Sequence, residues 1–432
     1  MNGFNSFRFI NYAFDQPSKS LTLTYGYDDK LSFNEIYHFD FAFKDYDPVV
    51  LDRAIQNLFF IAGVSYFKAF LPGTVTIECG QTDEQMAVFL SKTYQRGLGE
   101  FFYVNKLDPR TAITFPVHSP LELTSHHTGT GLLIGIGGGK DSLVSVEAFR
   151  DKPNVATWSV GHRDQLAPLI ERIGLPHFWV DRQIDPGIKQ LSEQGALNGH
   201  IPISAVFAAV GAVVAVLAGY RDVVVSNEHS ANEETLQYQG VSINHQYSKS
   251  LEFERDWQAV LNHQFGDTLQ YYSFLRPLGE MRIAEAFAAT GFERYKDVFS
   301  SCNRAFTQNS PRMYWCGECP KCAFVYLILS SFIHEENLRT VFGGKNLLLE
   351  PGLEPTFRQL LGIDGDKPLE CVGEIQESRQ AMHRALARYA ELRKYTYELD
   401  RTYNYKTLQE HAMPAEAQKV LKEFLDKIDQ LV

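Results

Sequence analysis

Apolar residues recur at every second position through FRFINYAFD (7–15), LTLTYGY (21–27) and LSFNEIYHFDF (31–41). Turn-type residues, Asp15 to Ser18 and Asp28 to Lys30, separate the three runs. Period-two alternation places one face of each segment in a core, so the pattern predicts an antiparallel meander. Asp47-Pro48 has the form of a helix cap followed by a first-turn proline, opening a helix that runs through Phe70 and stops at Pro72-Gly73. A strand, VTIEC (75–79), follows, and Thr82-x-x-Gln85 resembles a capping box ahead of another helix.

From Gly129 the period changes. The apolar run Leu132, Leu133, Ile134, Ile136 ends in three glycines, and helix spacing then takes over at Leu143, Val146 and Phe149. Strands are predicted at VATWSV (155–160), HFWV (177–180) and DVVVS (222–226), with helices near 165–173 and over 203–219. Short apolar strands alternating with helices argue for a parallel, doubly wound α/β sheet covered on both faces. After Ser331 the chain reads as mostly helical, with an amphipathic helix over 378–395 and a last one from Pro414. The expected organisation is an α+β domain over 1–125, a nucleotide-type α/β domain over 126–335, and a helical region over 336–432.

Composition narrows the chemistry. The formal net charge is −11 over 432 residues, which disfavours a sequence-independent grip on nucleic acid, because phosphate binding needs a basic surface. A small-molecule substrate is the expectation. The N-terminus, MNGFNSFRF, has neither a basic n-region nor an apolar h-region. The uncharged stretch 201–220 is rich in Ala, Val and Gly and is interrupted by Pro202 and Gly211; it reads as a helix buried against a sheet and not as a membrane span. The chain is expected to be cytoplasmic.

The strand–glycine–helix junction, GIGGGKDS (135–142), is where an anion is expected. Glycines let backbone approach a ligand, and a helix N-terminus presents amides to it. A Walker loop is excluded, since Ile134 occupies its first glycine position and Asp141 follows Lys140. The dinucleotide fingerprint is excluded as well, because Lys140 replaces its third glycine. The pattern S-G-G-x-D-S, the pyrophosphatase loop of enzymes that split ATP into AMP and pyrophosphate, matches at Gly138, Gly139, Asp141 and Ser142, with Gly137 in place of the leading serine. After the strand ending near Ser226 comes an unusually polar stretch, 226–254, that offers Asn227, Glu228, His229, Asn232, Glu233 and His245 for metal-phosphate binding or proton transfer.

Four of six cysteines fall close together as C-x13-C-x2-C-x2-C: Cys302, Cys316, Cys319 and Cys322. Four thiolates at this spacing suit a closed, structural tetrahedral zinc site, and an iron–sulfur cluster is the other occupant they allow. Cys79 and Cys371 read as ordinary buried thiols.

These motifs carry two resemblances. Deazaguanine synthases of the queuosine pathway also combine a pyrophosphatase loop with a four-cysteine knot containing CGxCxxC, but lack an N-terminal domain of this size; they imply an ATP-dependent ligase or an amide- or nitrile-forming synthase. Through the meander, GIGGGKDSLVSVE, VSNEHSANE, NHQYSKSLEFE, SSCNRAF and WCGECPKCAFVYL, the chain resembles the UDP-N-acetylmuramoyl-L-alanyl-L-glutamate epimerase family essentially end to end. That resemblance implies a fold of the ATP-pyrophosphatase-loop (adenine nucleotide α-hydrolase-like) type. It also implies a role in peptidoglycan precursor synthesis. ATP and Mg2+ would serve to convert the terminal L-glutamate of UDP-MurNAc-L-Ala-L-Glu to D-glutamate, releasing AMP and pyrophosphate. Gly137, Gly138, Gly139 and Ser142 would hold the pyrophosphate portion, and Asp141 the magnesium. Lys140, Lys321 and Asn227 would be further nucleotide contacts, and Glu228, His229 and His245 the candidate acid and base groups.

Overall fold

The computed structural model describes residues 3–120, 126–306 and 312–431. Residue 125, the expected end of the first domain, lies outside them. The architecture is mixed α/β, built on a nine-stranded sheet among the described residues. Its strands are β1 (Ser6–Asp15), β2 (Ser20–Tyr27), β3 (Leu31–Asp40), β4 (Thr74–Ile77), β5 (Leu132–Gly135), β6 (Val155–Val160), β7 (His177–Gln183), β8 (Asp222–Val225) and β11 (Gln270–Ser273). A separate two-stranded hairpin joins β9 (Leu236–Tyr238) to β10 (Val241–Ile243).

The order across the large sheet is β11-β8-β5-β6-β7-β3-β2-β1-β4. The five strands from β11 to β7 run parallel. The predicted meander is present, antiparallel from β1 to β3, and β3 pairs antiparallel with β7. Meander and parallel strands therefore form one continuous sheet. The join is reinforced at Arg182 of β7, whose Nε donates to Glu35 Oε1 of β3 at 2.8 Å in a nearly water-free setting.

Ten helices matter for the site: α1 (Pro48–Ala62), α2 (Glu84–Gly97), α3 (Lys140–Phe149), α4 (Arg163–Ile173), α5 (Ile203–Ala218), α6 (Leu251–Phe265), α7 (Glu280–Thr290), α8 (Pro320–Leu329), α9 (Ile375–Leu386) and α10 (Ala415–Leu431). Alternation along the parallel strands feeds two cores. Leu133, Val223 and Tyr271 meet α1, α5 and α6 on one face, while Ile134, Val224 and Tyr272 meet α3 and α7 to α10 on the other. Gly211 lets α5 lie flat on the sheet, since a Cβ there would sit 2.7 Å from Val223 Cγ1 and 2.8 Å from the Trp158 ring. No described helix is long and apolar enough to cross a membrane.

Several boundaries differ from the periodicity. The first helix ends at Ala62 and not at Phe70; the chain passes through Gly63, where a side chain would strike the Phe9 ring at 2.6 Å, into a short separate helix. The cap of α2 is Asp83, whose carboxylate accepts from the Met86 amide at 2.9 Å. Thr82 instead donates to the Pro116 carbonyl. The amphipathic stretch at 378–395 is helical only to Leu386, with a 3-10 turn over Ala390–Lys394.

Candidate active site

In the parallel half the chain runs β5, β6, β7 outward on one side, then returns to lay β8 and β11 on the other. The reversal lies between β5 and β8, which is where open α/β sheets place their ligand crevice, at the carboxyl ends of the strands. The loop from Ile136 to Gly139 leaves β5 at this point, and Ser226 to His229 leaves β8. A hydrogen bond of 2.7 Å between Ser145 Oγ and Ser226 Oγ ties the two exits together.

Gly139 is the N-cap of α3 and supplies no side-chain cap, so the first amides of that helix have no side-chain acceptor at the cap. Gly138 takes a left-handed φ of +91°. A Cβ on it would lie 2.7 Å from Phe306 Cζ and 3.0 Å from the Ser300 carbonyl oxygen, and the Ser300 amide donates to the Gly138 carbonyl at 3.0 Å. Gly139 faces Ser301 in the same way. Two of the three glycines thus allow the segment around Cys302 to close on the loop. Among the described residues, a Cβ on Gly137 would meet nothing within 4 Å. Ser142 Oγ returns to the Gly139 carbonyl at 3.2 Å.

Lys140 is 2% exposed and lies between two carboxylates, Asp141 Oδ1 at 2.5 Å and Glu280 Oε2 of α7. Burial works against its charge, but the two carboxylates outweigh it and hold the ammonium well above its usual range. Burial raises Asp141, and Lys140, Lys321 and Lys249 more than offset it, so this carboxylate stays below its usual range. Glu280 is pushed up by burial, and its Oε1 has no hydrogen-bond partner among the described residues. Behind it, Glu377 of α9 accepts from the Met281 amide at 2.8 Å and burial pushes it up to about 8.

The polar stretch after β8 folds over the crevice. Glu228 is buried, and its carbonyl accepts from Arg276 at 2.6 Å; Arg276 is fully buried and also bonds Glu254 and the Lys249 carbonyl. The Asn227 carbonyl accepts from Ser273 Oγ at 2.6 Å. His229 Nε2 lies 3.7 Å from Glu374 Oε1, while its Nδ1 is buried without a partner. Burial lowers His229 and raises Glu374 to about 7. His245 Nδ1 bonds Glu100, which also faces His200 Nδ1 at 3.4 Å. Burial works against the imidazolium of His245, yet the neighbouring Cys371 and Glu100 raise it to about 9.

Cys371 is not an ordinary buried thiol. It is only half-buried by surface area, Lys249 Nζ donates to its sulfur at 3.2 Å, and Lys321 Nζ donates to its carbonyl. Burial raises this thiol, but Lys249, His245 and Lys321 outweigh it and bring it down to about 6. Cys79 is likewise half-buried, just beyond β4 at the far edge of the sheet.

The four clustered cysteines converge. Sulfur–sulfur distances are 3.4 Å for Cys319–Cys322, 3.7 Å for Cys316–Cys322 and 3.9 Å for Cys302–Cys319. Zinc–sulfur bonds of about 2.3 Å in a tetrahedron require edges of roughly 3.8 Å, so the donor set fits that ion. Cys319 caps α8, its sulfur accepting from the Cys322 amide at 3.4 Å.

The structure brings Asp141, Lys140, Glu228, His229, His245 and Lys321 to one crevice, with Lys140 and Lys321 engaged by protein acceptors. Glu100, Lys249, Arg276, Glu280, Cys371, Glu374 and Glu377 join them there, and sequence reasoning missed all seven. NHQYSKS contains Lys249, but nothing local marks its thiol partner 122 residues away.

Two family models match, one described as the MurL N-terminal domain over residues 1–274 and the other as the MurL C-terminal domain over 298–411. Among curated proteins, the UDP-N-acetyl-alpha-D-muramoyl-L-alanyl-L-glutamate epimerase of Xanthomonas oryzae pv. oryzae is 39% identical over 88% of this chain and 85% of its own length. Proteins of the same name from Salinispora tropica and a Micromonospora species are 37% and 36% identical, each over 88% of this chain and over 84% and 86% of their own lengths. No solved structure matches. With both family models and relatives spanning nearly nine-tenths of its length, the chain belongs to the MurL family.

Proposed function

We propose that this chain epimerises the terminal L-glutamate of UDP-MurNAc-L-Ala-L-Glu, the substrate in its relatives' names, and that it does so through an acyl-adenylate. The observation carrying the reading is the site itself: a glycine turn without a side-chain cap and a helix N-terminus lie beside a set of partly or fully buried lysines, carboxylates, imidazoles and a thiol.

A free α-carboxylate resists loss of its α-proton, because the carbanion would add a second negative charge beside the first. Attack of the carboxylate oxygen on the α-phosphorus of ATP expels pyrophosphate and gives a mixed anhydride without that charge. The α-proton can then leave, its bonding pair moving into the enolate. A proton returns to the other face, and water releases AMP and the D epimer. Gly137 and the first amides of α3 receive the phosphate oxygens. Gly138, Gly139 and Ser142 fix the shape of that turn. Lys140 holds Asp141 ionised and Glu280 in place; Lys321 and Asn227 are proposed as further nucleotide contacts. Asp141, with the unpartnered Glu280 oxygen near it, is the group that would hold Mg2+, which neutralises phosphate charge.

The structural metal is zinc on Cys302, Cys316, Cys319 and Cys322. All three expected regions contribute to the site: 1–125 gives Glu100, 126–335 the nucleotide loop, and 336–432 Cys371, Glu374 and Glu377. A reaction consuming ATP and a UDP-linked precursor belongs in the cytoplasm, with a small-molecule substrate and no nucleic acid.

The test is incubation of UDP-MurNAc-L-Ala-L-Glu with ATP and magnesium in deuterated water. One deuterium at the glutamate α-carbon, the D epimer, and AMP are expected together. Exchange without ATP overturns the adenylate route, and AMP without exchange points to a ligase or synthase.

A further inference from the structure

The segment from Glu370 to Glu377 crosses the crevice and enters α9. It carries Cys371 against Lys249, Glu374 against His229, and Glu377 behind Glu280. Nothing in the motifs around the glycine loop uses it, and no cysteine outside the four-cysteine cluster entered the expected chemistry. The thiol is not isolated. Lys249 reaches its sulfur at 3.2 Å, and the charge of His245, which is anchored on Glu100, also acts on it. The Lys249 charge also acts on Asp141 and Glu228, so the sulfur shares one electrostatic neighbourhood with the nucleotide loop.

We propose that Cys371 is one of the two proton-transfer residues of the epimerisation, its thiolate held by Lys249 and His245. This deepens the epimerase reading and rests on it. The sulfur takes the glutamate α-proton: an S–H bond forms as the C–H bond breaks, and the carbon's electron pair passes into the enolate of the adenylated acyl group. The returning proton reaches the opposite face from a second group, for which the His229–Glu374 pair stands three residues further along the same segment. The thiol then loses its proton to water, and the Lys249 ammonium and the His245 imidazolium hold the thiolate that is left. Lys249 and His245 are thus positioning residues, and His245 is no longer an independent base. Three features suit the sulfur to the task. It is half-buried and so within reach of substrate, it is ionised near neutral pH by the adjacent cations, and a thiolate needs no desolvation of a second carboxylate next to the phosphates.

Two measurements separate this inference from the reading beneath it. Wild-type protein must first form AMP and exchange the α-proton of the UDP-dipeptide; if it does not, the epimerase reading fails and the role of Cys371 falls with it. Given that activity, Cys371→Ala is incubated with each epimer, L and D, in deuterated water with ATP and magnesium. AMP formation should persist, net epimerisation should fall by about 10²- to 10⁴-fold, and exchange should be lost from at least one epimer. Exchange retained from both epimers, or loss of AMP formation along with exchange, overturns the proposal. The second measurement needs no turnover. Alkylation of Cys371 by iodoacetamide, read by peptide mass spectrometry, should rise with pH about a midpoint near 6 in the wild type and about a clearly higher one in Lys249→Met. A midpoint in the ordinary thiol range of about 8.5 in the wild type overturns it as well.

Discussion

At the scale of single residues, the loop carboxylate and its buried lysine should behave differently when replaced. Asp141 is partly exposed and aimed at the crevice, so Asp141→Asn should reduce AMP formation by at least about 100-fold, in the range of lost charge stabilisation, with little change in melting temperature. Lys140→Met leaves Glu280 buried without its cation, and breaking such a pair costs about 3–5 kcal/mol; thermal denaturation should show it directly. His245 supplies a pH signature. Its folded-state value is raised to about 9, so the stabilisation from its contacts is complete below the unfolded value of about 6.5 and is lost as pH rises through 9. The melting-temperature gap between wild type and Glu100→Gln should therefore be wide at pH 6 and narrow above pH 9.5. A gap that widens with pH would show that the imidazole is not held protonated. Residues such as these were legible in the sequence only where chemistry is local. The glycines, Asp141 and Ser142 stand in one contiguous motif. Glu100 and His245 meet across 145 residues, and neither has a neighbour in sequence that announces the other.

At the scale of elements, periodicity served well where one face is buried along the whole segment. The meander strands, the four expected parallel strands and the apolar α5 are present because alternation or continuous apolarity is set by burial itself. Ends of elements were less legible, since a cap is decided by which oxygen reaches an amide: Asp83 and not Thr82 takes that place at α2. The cysteine element is the clearest of all, because four thiols in so short a span of chain suit a shared ion. A metal there would tie Cys302 to the start of α8, so Cys319→Ser should lower both bound zinc, measured by elemental analysis, and the melting temperature. A metal-free protein melting at the wild-type temperature would contradict the structural role.

At the scale of the whole molecule, the first and second expected regions share a sheet. The edge of β7 is completed by β3, and α1 packs along α5. Pairing between strands so far apart leaves no local signature, which is why the sequence reads as two adjacent domains. Arg182→Met, which strands Glu35 at 0% exposure, should therefore destabilise the entire chain by about 3–5 kcal/mol and lower a single melting transition. Two separate transitions would show that the halves unfold independently. The closure of Ser300, Ser301 and Phe306 onto Gly138 and Gly139 has a consequence of another kind. The cysteine-bearing segment and the glycine turn form one packed unit, so a metal on the one and a phosphate on the other would favour each other, and thermodynamic linkage would make the effect mutual. An ATP analogue should tighten zinc binding in an equilibrium competition with a chelator, and zinc-depleted protein should bind that analogue more weakly by the same factor. Metal supply would then set the fraction of molecules able to accept nucleotide.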